Sequence, residues 1–420
     1  MIFWMIFWID KARNLPMLVH MARKFRIMTL LELPPFGLVC GLLWLCSCAS
    51  NPFQPVADAP TPELPADASI NPDAGRGNEL IVKIRLEDGE ELPFIVDTGS
   101  PVTIFDKTLA PKLGKCTGAA IFNNFGSHTN AGVYNMPKLY LGQTRLLTGT
   151  HTIALDLQFV MPDQAIMGIL GMDCLRNYCL QLDFQAHRLR FLNSGRLDAE
   201  NRGKAYPISF SNEEQGAKGL VRPYIRCGSL IGGGGHNLMI DTGYRVDGGL
   251  ADDDFQKQIH QLQTLNADGV VGSQDKHRVW FPSTIWEGGK YTNLLVGAGG
   301  NILGLGFLAR HLVTLDFPHR ILYLEQTSVG PLVSEDMLAA ASLVEHLRQR
   351  RQLPGWSEGE AGTIYLEPFP TYEVFDGRKQ GDPSVYHYKV ARTGADGYFK
   401  LQAAWRTDPS GKTIEEFPSP

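Results

Sequence analysis

The chain has 420 residues, above the usual single-domain range, so two or three domains are expected. Its 44% hydrophobic content gives ample core, and 44 glycines suit a protein of strands and turns. The formal charge is −5; residues 1–47 hold five basic and two acidic side chains, so their removal leaves −8 with no Lys/Arg run or basic stripe, which argues against nucleic acid as a partner.

The N-terminus reads as an export signal. Met21-Ala22-Arg23-Lys24-Phe25-Arg26 is a basic start, and Phe36 to Leu45 is an apolar run too short to span a bilayer. Translation is expected to start at Met21 or Met28, with the preceding residues misassigned. The run ends in Leu45-Cys46-Ser47-Cys48, which resembles a bacterial lipobox with an uncommon Cys46. The resemblance implies a signal peptide over 1–47, a lipid on Cys48 and attachment to a membrane. Ala49 after the cysteine implies the outer membrane, facing the periplasm. Residues 48–78, rich in Pro, Ala and Asp and without apolar periodicity, read as a flexible tether.

The tether leads to the first of two related segments. Phe94-Ile95-Val96-Asp97-Thr98-Gly99-Ser100 has a counterpart in Leu238-Met239-Ile240-Asp241-Thr242-Gly243-Tyr244. Downstream of the first come Ile169-Leu170-Gly171, Leu175, Leu182-Asp183-Phe184 and His187-Arg188-Leu189. Downstream of the second come Ile302-Leu303-Gly304, Leu308, Leu315-Asp316-Phe317 and His319-Arg320-Ile321, aligned by one gap after the Asp-Phe pair. Such self-similarity marks a duplicated unit. One Asp-Thr-Gly is an ordinary strand-to-turn junction. Two, each after a buried-strand pattern and before an Ile-Leu-Gly segment, point to paired carboxylates at a seam.

On these motifs the stretch from Glu79 to Glu325 resembles a retropepsin-like aspartic protease with two lobes fused in one polypeptide, the pepsin-type arrangement. The resemblance implies a mainly β fold: two similar β-barrel lobes, residues 79–200 and 201–326, with the active site at their interface. It implies an aspartic endopeptidase acting on a polypeptide substrate as a monomer. Two carboxyls about 3 Å apart share a proton, and one activates water while the other protonates the scissile carbonyl. Asp97 and Asp241 are that dyad, supported by Thr98, Gly99, Ser100, Thr242, Gly243 and Tyr244. In the family the threonines bond across the interface, and a small hydroxyl after Asp-Thr-Gly can bond the outer carboxylate oxygen. Ser100 fits that pattern and Tyr244 departs from it. The departure leaves a second reading open: a silent member of the family that binds extended peptides in the cleft.

The remaining features are read as structural or left open. Gly118 to Tyr134 forms an expected flap hairpin, with His277 to Trp286 at the corresponding place and its aromatics assigned equally to pockets or to core. Gly232-Gly233-Gly234-Gly235 is a hairpin turn, because no Lys-Ser/Thr or helix follows it. His187 and His319 are strand-end residues carried by the repeat. Cys116, Cys174, Cys179 and Cys227 allow three disulfide pairings or buried free thiols. No Cys-x-x-Cys or His-x-x-x-His spacing points to a metal, and no cofactor is expected. Residues 327–420 form a small α+β extension, with a helix from about Ser334 to Gln352 facing inward through Leu338, Leu343, Val344 and Leu347, then strands over 384–392 and 398–405.

Overall fold

Phe94-Ile95-Val96 and Leu238-Met239-Ile240 are unbroken apolar runs because their strands are covered on both faces. Phe94 and Val96 point into one cluster, Ile95 into another with Val102, Ile104, Ile153 and Ile169. Runs of this kind suit parallel pairing inside a sheet. Both runs do pair in parallel with the downstream apolar-Gly segments: Ile95 with Ile169 and Val96 with Leu170, Met239 with Ile302 and Ile240 with Leu303.

The computed structural model describes residues 6–8, 63–124, 127–157, 165–197, 202–211, 220–265, 278–332, 335–357, 362–367, 373–379, 381–392 and 398–418. The fold is mainly β. In the first half, Glu91–Val96 lies between Ile81–Arg85 and Gly168–Leu170, followed by Ile104–Asp106, His151–Leu155 and Ser127–Asn135. In the second half, Gly235–Asp241 lies between Pro223–Gly228 and Ile302–Gly304, followed by Gly248–Leu250, Gly289–Ala298 and Arg278–Trp286. The order and the parallel or antiparallel sense of every one of these pairs match between the halves. The expected barrels are absent among the described residues: the sheets are open, and strands that would close each half instead feed a sheet shared between them.

That shared sheet has the order Ala68–Ser69, Arg188–Leu192, Cys179–Asp183, His311–Asp316, Ile321–Gln326, Lys204–Phe210. At its centre Leu180 stands opposite Leu315 and Leu182 opposite Val313. Exchanging each residue for its repeat counterpart turns one pair into the other, so a pseudo-two-fold axis passes between them, through Gln181 and Thr314. The Gln181 amide donates to the Thr314 hydroxyl there at 3.2 Å.

Register corrects the gapped alignment of the repeat. Asp183 faces Arg188 across one hairpin and Asp316 faces Ile321 across the other, an unbroken correspondence. His187 therefore matches Arg320, and both take positive φ at the turn, 52° and 58°. Each offers its carbonyl to the next strand, His187 to Ile70 N and Arg320 to Ile208 N. His319 matches Ala186, and the backbone N–H of each bonds the preceding Asp316 or Asp183 carboxylate.

The tether reading ends at residue 63. Residues 68–69 pair with Arg188 and Leu189, and Ile70 and Ala74 are buried. The Asn71 side chain donates to Glu79 O and accepts from Ile81 N, so this polar segment is held by side-chain bonds to backbone that no apolar periodicity announces. The signal peptide (apart from residues 6–8), Cys48 and the stretch up to residue 62 lie outside the described residues.

Residues 335–418 make a separate unit, a five-stranded antiparallel sheet under the helix Glu335–Gln349. Val344 and Ala340 are buried on that helix, with Leu343 and Leu347 packed against Phe375, Tyr386, Tyr388 and Leu401; the Leu338 side chain lies outside the described set. Strands Val385–Arg392 and Phe399–Thr407 match the expected pair, and 362–367, 373–379 and 413–417 extend it. On the opposite face His387 bonds Asp376 at 2.6 Å through Nδ1 and Thr407 at 2.9 Å through Nε2, a half-buried ring partnered at both nitrogens across three strands.

The halves solve one buried-polar problem differently. In the first, Asp173 accepts from Gly149 N (3.3 Å) and Thr103 Oγ1 (2.8 Å). In the second, Asp247 occupies the place of Thr103 and accepts from Leu295 N (2.8 Å), while Gly306 stands where Asp173 was. Asp247 is paired with Arg310, which is fully buried and donates to Asp247 Oδ1 (2.9 Å) and to the carbonyls of Thr292, Asn293 and Val329. Removing one partner strands the other without water. Arg310→Met should lower unfolding free energy by about 3–5 kcal/mol in urea titrations; a loss within experimental error would contradict this account.

Candidate functional site

Each Asp-Thr-Gly leaves its strand at the same level and turns over the Gly of the opposing Ile-Leu-Gly segment. Asp97 N donates to Leu170 O at 3.0 Å. A Cβ at Gly171 would lie 2.3 Å from Val102 O, and one at Gly304 2.2 Å from Val246 O, so only glycine admits the returning loop. The short helices Met172–Leu175 and Leu305–Leu308 then tie the loops down: Met172 N donates to Ser100 O (2.8 Å) and Leu305 N to Tyr244 O (2.7 Å).

The two loops meet back to back. Thr98 N donates to Thr242 Oγ1 (3.0 Å), and Thr242 N to Thr98 Oγ1 (3.1 Å). The hydroxyls donate onward across the junction, Thr98 to Ile240 O (2.7 Å) and Thr242 to Val96 O (2.6 Å). Both threonines are fully buried, so four groups that would otherwise be stranded satisfy one another.

This junction brings the carboxyls of Asp97 and Asp241 close enough for each to perturb the other's proton. Each carboxyl also lies against the glycine of the other loop. A Cβ on Gly99 would sit 2.4 Å from the Asp241 carboxyl carbon, and one on Gly243 2.5 Å from that of Asp97. The inner oxygens accept local amides: Asp97 Oδ1 from Gly99 N (2.8 Å) and Ser100 N (3.0 Å), Asp241 Oδ1 from Gly243 N (2.9 Å).

Burial raises both carboxyls above their ordinary range. Asp241 is held well above it, by burial first and then by the neighbouring Asp97 charge. Asp97 is also raised by burial, against the opposing pull of the Gly99 amide, the bond to Asp241, the Ser100 amide and the Arg222 guanidinium. The extra amide at Asp97 favours charge there and the proton on Asp241, although their protons are lost from the pair rather than from either residue alone.

The residues after the motifs depart from expectation. The Ser100 hydroxyl donates to Val102 O (2.7 Å), turned to its own loop, and serves Asp97 through its amide instead. Tyr244 is half-buried, its amide bonds Asp241 O, and its ring edge packs against Gly304 beneath the loop. The ring thus follows the floor of the second half.

Sequence reasoning passed over two charged neighbours. Arg222, just before the strand Pro223–Gly228, donates from Nε to Gly99 O at 2.7 Å. Glu79, just before Ile81–Arg85, is buried, and its Oε1 lies 3.2 Å from Arg245 Nε while Oε2 has no hydrogen-bond partner. Burial lifts Glu79 to about 7, with Arg245 opposing and Asp97 adding to the rise. No motif marks either residue; only strand register locates them.

Elsewhere the site is framed by structural groups. The flap stretch forms the hairpin Gly118–Asn124 with Ser127–Asn135, whose residues 125–126 lie outside the described set. In the second half Trp286 is core: its indole donates to Gly228 O (2.8 Å) and the ring packs on Tyr206, Tyr291 and Phe307. Phe281 is buried too, and the Trp280 side chain is outside the described set. The four cysteines are free thiols; burial pushes Cys179 and Cys227 up to about 12 and Cys174 well above its ordinary value, which keeps these three inert, while Cys116 is exposed. Among the described residues no cluster of His, Cys, Asp or Glu could hold a metal ion, and no helix is long and apolar enough to cross a membrane.

No protein-family model matches the chain, and no curated protein sequence matches it. Among solved structures it is similar to basic 7S globulin from soybean, at 11% identity and a TM-score of 0.43, over 64% of this chain and 96% of that one. It is also similar to conglutin gamma, a basic 7S globulin from lupine seeds, at 11% identity and a TM-score of 0.41, over 63% and 95%. Likenesses this remote carry no functional argument.

The threonine junction yields a stability test. Thr98→Val and Thr242→Val each remove a hydroxyl that accepts one buried amide and donates to one buried carbonyl, so each should lower stability by about 1–3 kcal/mol in denaturant titrations. The two changes strand different groups, Thr242 N and Ile240 O in one and Thr98 N and Val96 O in the other, so the double variant should lose close to the sum. A marked shortfall would mean that the junction opens as a unit once either bond is gone.

Proposed function

We propose that the chain is an aspartic endopeptidase, with water activated between Asp97 and Asp241 for attack on a peptide carbonyl. The observation that supports this is the buried carboxyl pair itself: each carboxyl pressed against the glycine of the other loop, with the loops held by reciprocal threonine bonds. A structural pair of acids gains little from such burial, since two adjacent buried carboxyls repel each other unless a proton is shared. In the reaction the ionised member, favoured at Asp97, takes a proton from water, and the protonated member, favoured at Asp241, donates to the carbonyl oxygen. The tetrahedral intermediate then collapses as the amine leaves with a proton from the dyad.

The packing of Tyr244 against Gly304 leaves this reading in place. The alternative, a cleft that binds extended peptides without cutting, rests on the same residue, because its ring replaces the small group usual after the motif. No metal or cofactor enters either mechanism. We further propose attachment to the outer membrane through a lipid on Cys48, on the periplasmic side, with the enzyme acting as a monomer.

Asp97→Asn and Asp241→Asn should each abolish cleavage of an unfolded protein substrate, with no additional loss in the double variant. A statine-type transition-state mimic should inhibit the native chain. Both carboxyls are raised, so the singly protonated pair forms only as Asp97 ionises and persists until Asp241 does. Activity should therefore peak from mildly acid to neutral pH and fall on either side. Tyr244→Ser should cut at least as well as the native chain. Peptide binding by both, with cutting by neither, would replace the protease reading with the binding one.

The anchor is tested separately. Cys48→Ser should move the protein from the membrane fraction to the soluble one, and unchanged fractionation would rule out the lipid.

A further inference from the structure

The two halves repeat each other strand by strand, so any pair of residues at matching positions can be compared directly. Ile81 stands opposite Ile95, two residues before Asp97. Tyr224 stands opposite Met239, two residues before Asp241. Stepping back two residues from Ile81 and from Tyr224 reaches Glu79 and Arg222. These two residues therefore occupy pseudo-two-fold-related positions, one on each side of the carboxyl pair, and they carry opposite charges.

Their bonds are related in the same way. Glu79 belongs to the first half and reaches the loop of the second through Arg245 at 3.2 Å. Arg222 belongs to the second half and reaches the loop of the first through Gly99 O at 2.7 Å. Each thus crosses the junction to the loop of the other half. Arg222 gives Gly99 a charged donor, and Glu79 pairs with Arg245 through one oxygen while the other is buried without a hydrogen bond.

We propose that Glu79 and Arg222 are a positioning pair for the dyad, whose opposite charges at two-fold-related places make Asp97 and Asp241 electrically inequivalent and set the pH range over which the pair holds a single proton. The inference rests on the proposed dyad chemistry for its relevance to cleavage, though not for its geometry.

Arg222 faces both carboxyls, with the Tyr224 hydroxyl as the other ionisable group beside it. A fixed cation favours every ionised state, so it eases loss of both protons from the pair. Glu79 faces Asp97 and Arg245. Its carboxyl is lifted by burial to about 7, so it is neutral in acid and gains its charge near neutrality. A new anion at that point opposes loss of the second proton. Arg222 thus moves the whole window to lower pH, and Glu79 extends its alkaline end.

The experiment uses the full-length protein with 13C-labelled aspartate carboxyls, followed by NMR through a pH titration, alongside the pH profile of peptide cleavage. The native protein should show two dyad midpoints. Arg222→Met should raise both, by about one pH unit or more, and Arg222→Lys, which keeps the charge, should restore them. Glu79→Gln, a near-isosteric change, should lower the upper midpoint and leave the lower one in place. Midpoints unmoved in both neutral variants, or moved in one direction by both, would overturn the proposal. A purely structural role predicts that outcome, with changes in stability alone. If the midpoints move as stated while no variant cuts peptide, the pairing stands and the protease reading fails; if peptide is cut but the midpoints stay, the reverse holds.

Discussion

The reciprocal threonine bonds are the contact on which the centre of this molecule depends. An isolated loop carrying Asp-Thr-Gly would leave the Thr98 amide and hydroxyl unpaired in a dry interior, at a cost of about 1–3 kcal/mol for each stranded group. The second loop supplies the matching acceptors and donors, and receives the same service in return. Two glycines make the approach close enough, because any side chain there would occupy the space of the opposing carboxyl. The proximity of the two acids is thus a by-product of satisfying backbone groups. The repulsion between them is absorbed by a scaffold that has no cheaper arrangement.

Around that contact the chain builds outward in layers. The parallel pairing of each apolar run with an Ile-Leu-Gly strand puts the loop floors at equal heights. The short helices after those strands hold the loop carbonyls. The six-stranded sheet below joins the halves through continuous hydrogen bonding, and one apolar cluster extends through it from Val96 to Ile240. Loops set on such a base have little freedom to separate without disturbing the core.

Much of this was legible in the sequence, for identifiable reasons. The apolar lead-ins and the paired Asp-Thr-Gly segments carry both the strand pattern and its termination, so the loops and their floors could be read in advance. The helix Glu335–Gln349 announced itself by its spacing of Leu343, Val344 and Leu347. Other features were hidden because they are set by partners distant in sequence. The ungapped match of His187 to Arg320 appears only when hairpin register is known. Residues 63–78 are held by Asn71, whose composition looks like that of a tether. Glu79 and Arg222 lie at the entrances to strands and share no motif. Closed barrels were expected from resemblance, whereas the strands that would have closed them are committed to the shared sheet.

The pair at the centre of that sheet has one more consequence. On a true two-fold axis a residue must meet its own copy, so a symmetric dimer would set glutamine against glutamine or threonine against threonine. Here an amide donor faces a hydroxyl acceptor, Gln181 against Thr314. That arrangement is forbidden to identical subunits and open to a single covalent chain. Once the halves are encoded separately, each site on or near the axis is free to become a complementary couple, and the molecule can keep the shape of a dimer while abandoning its sameness.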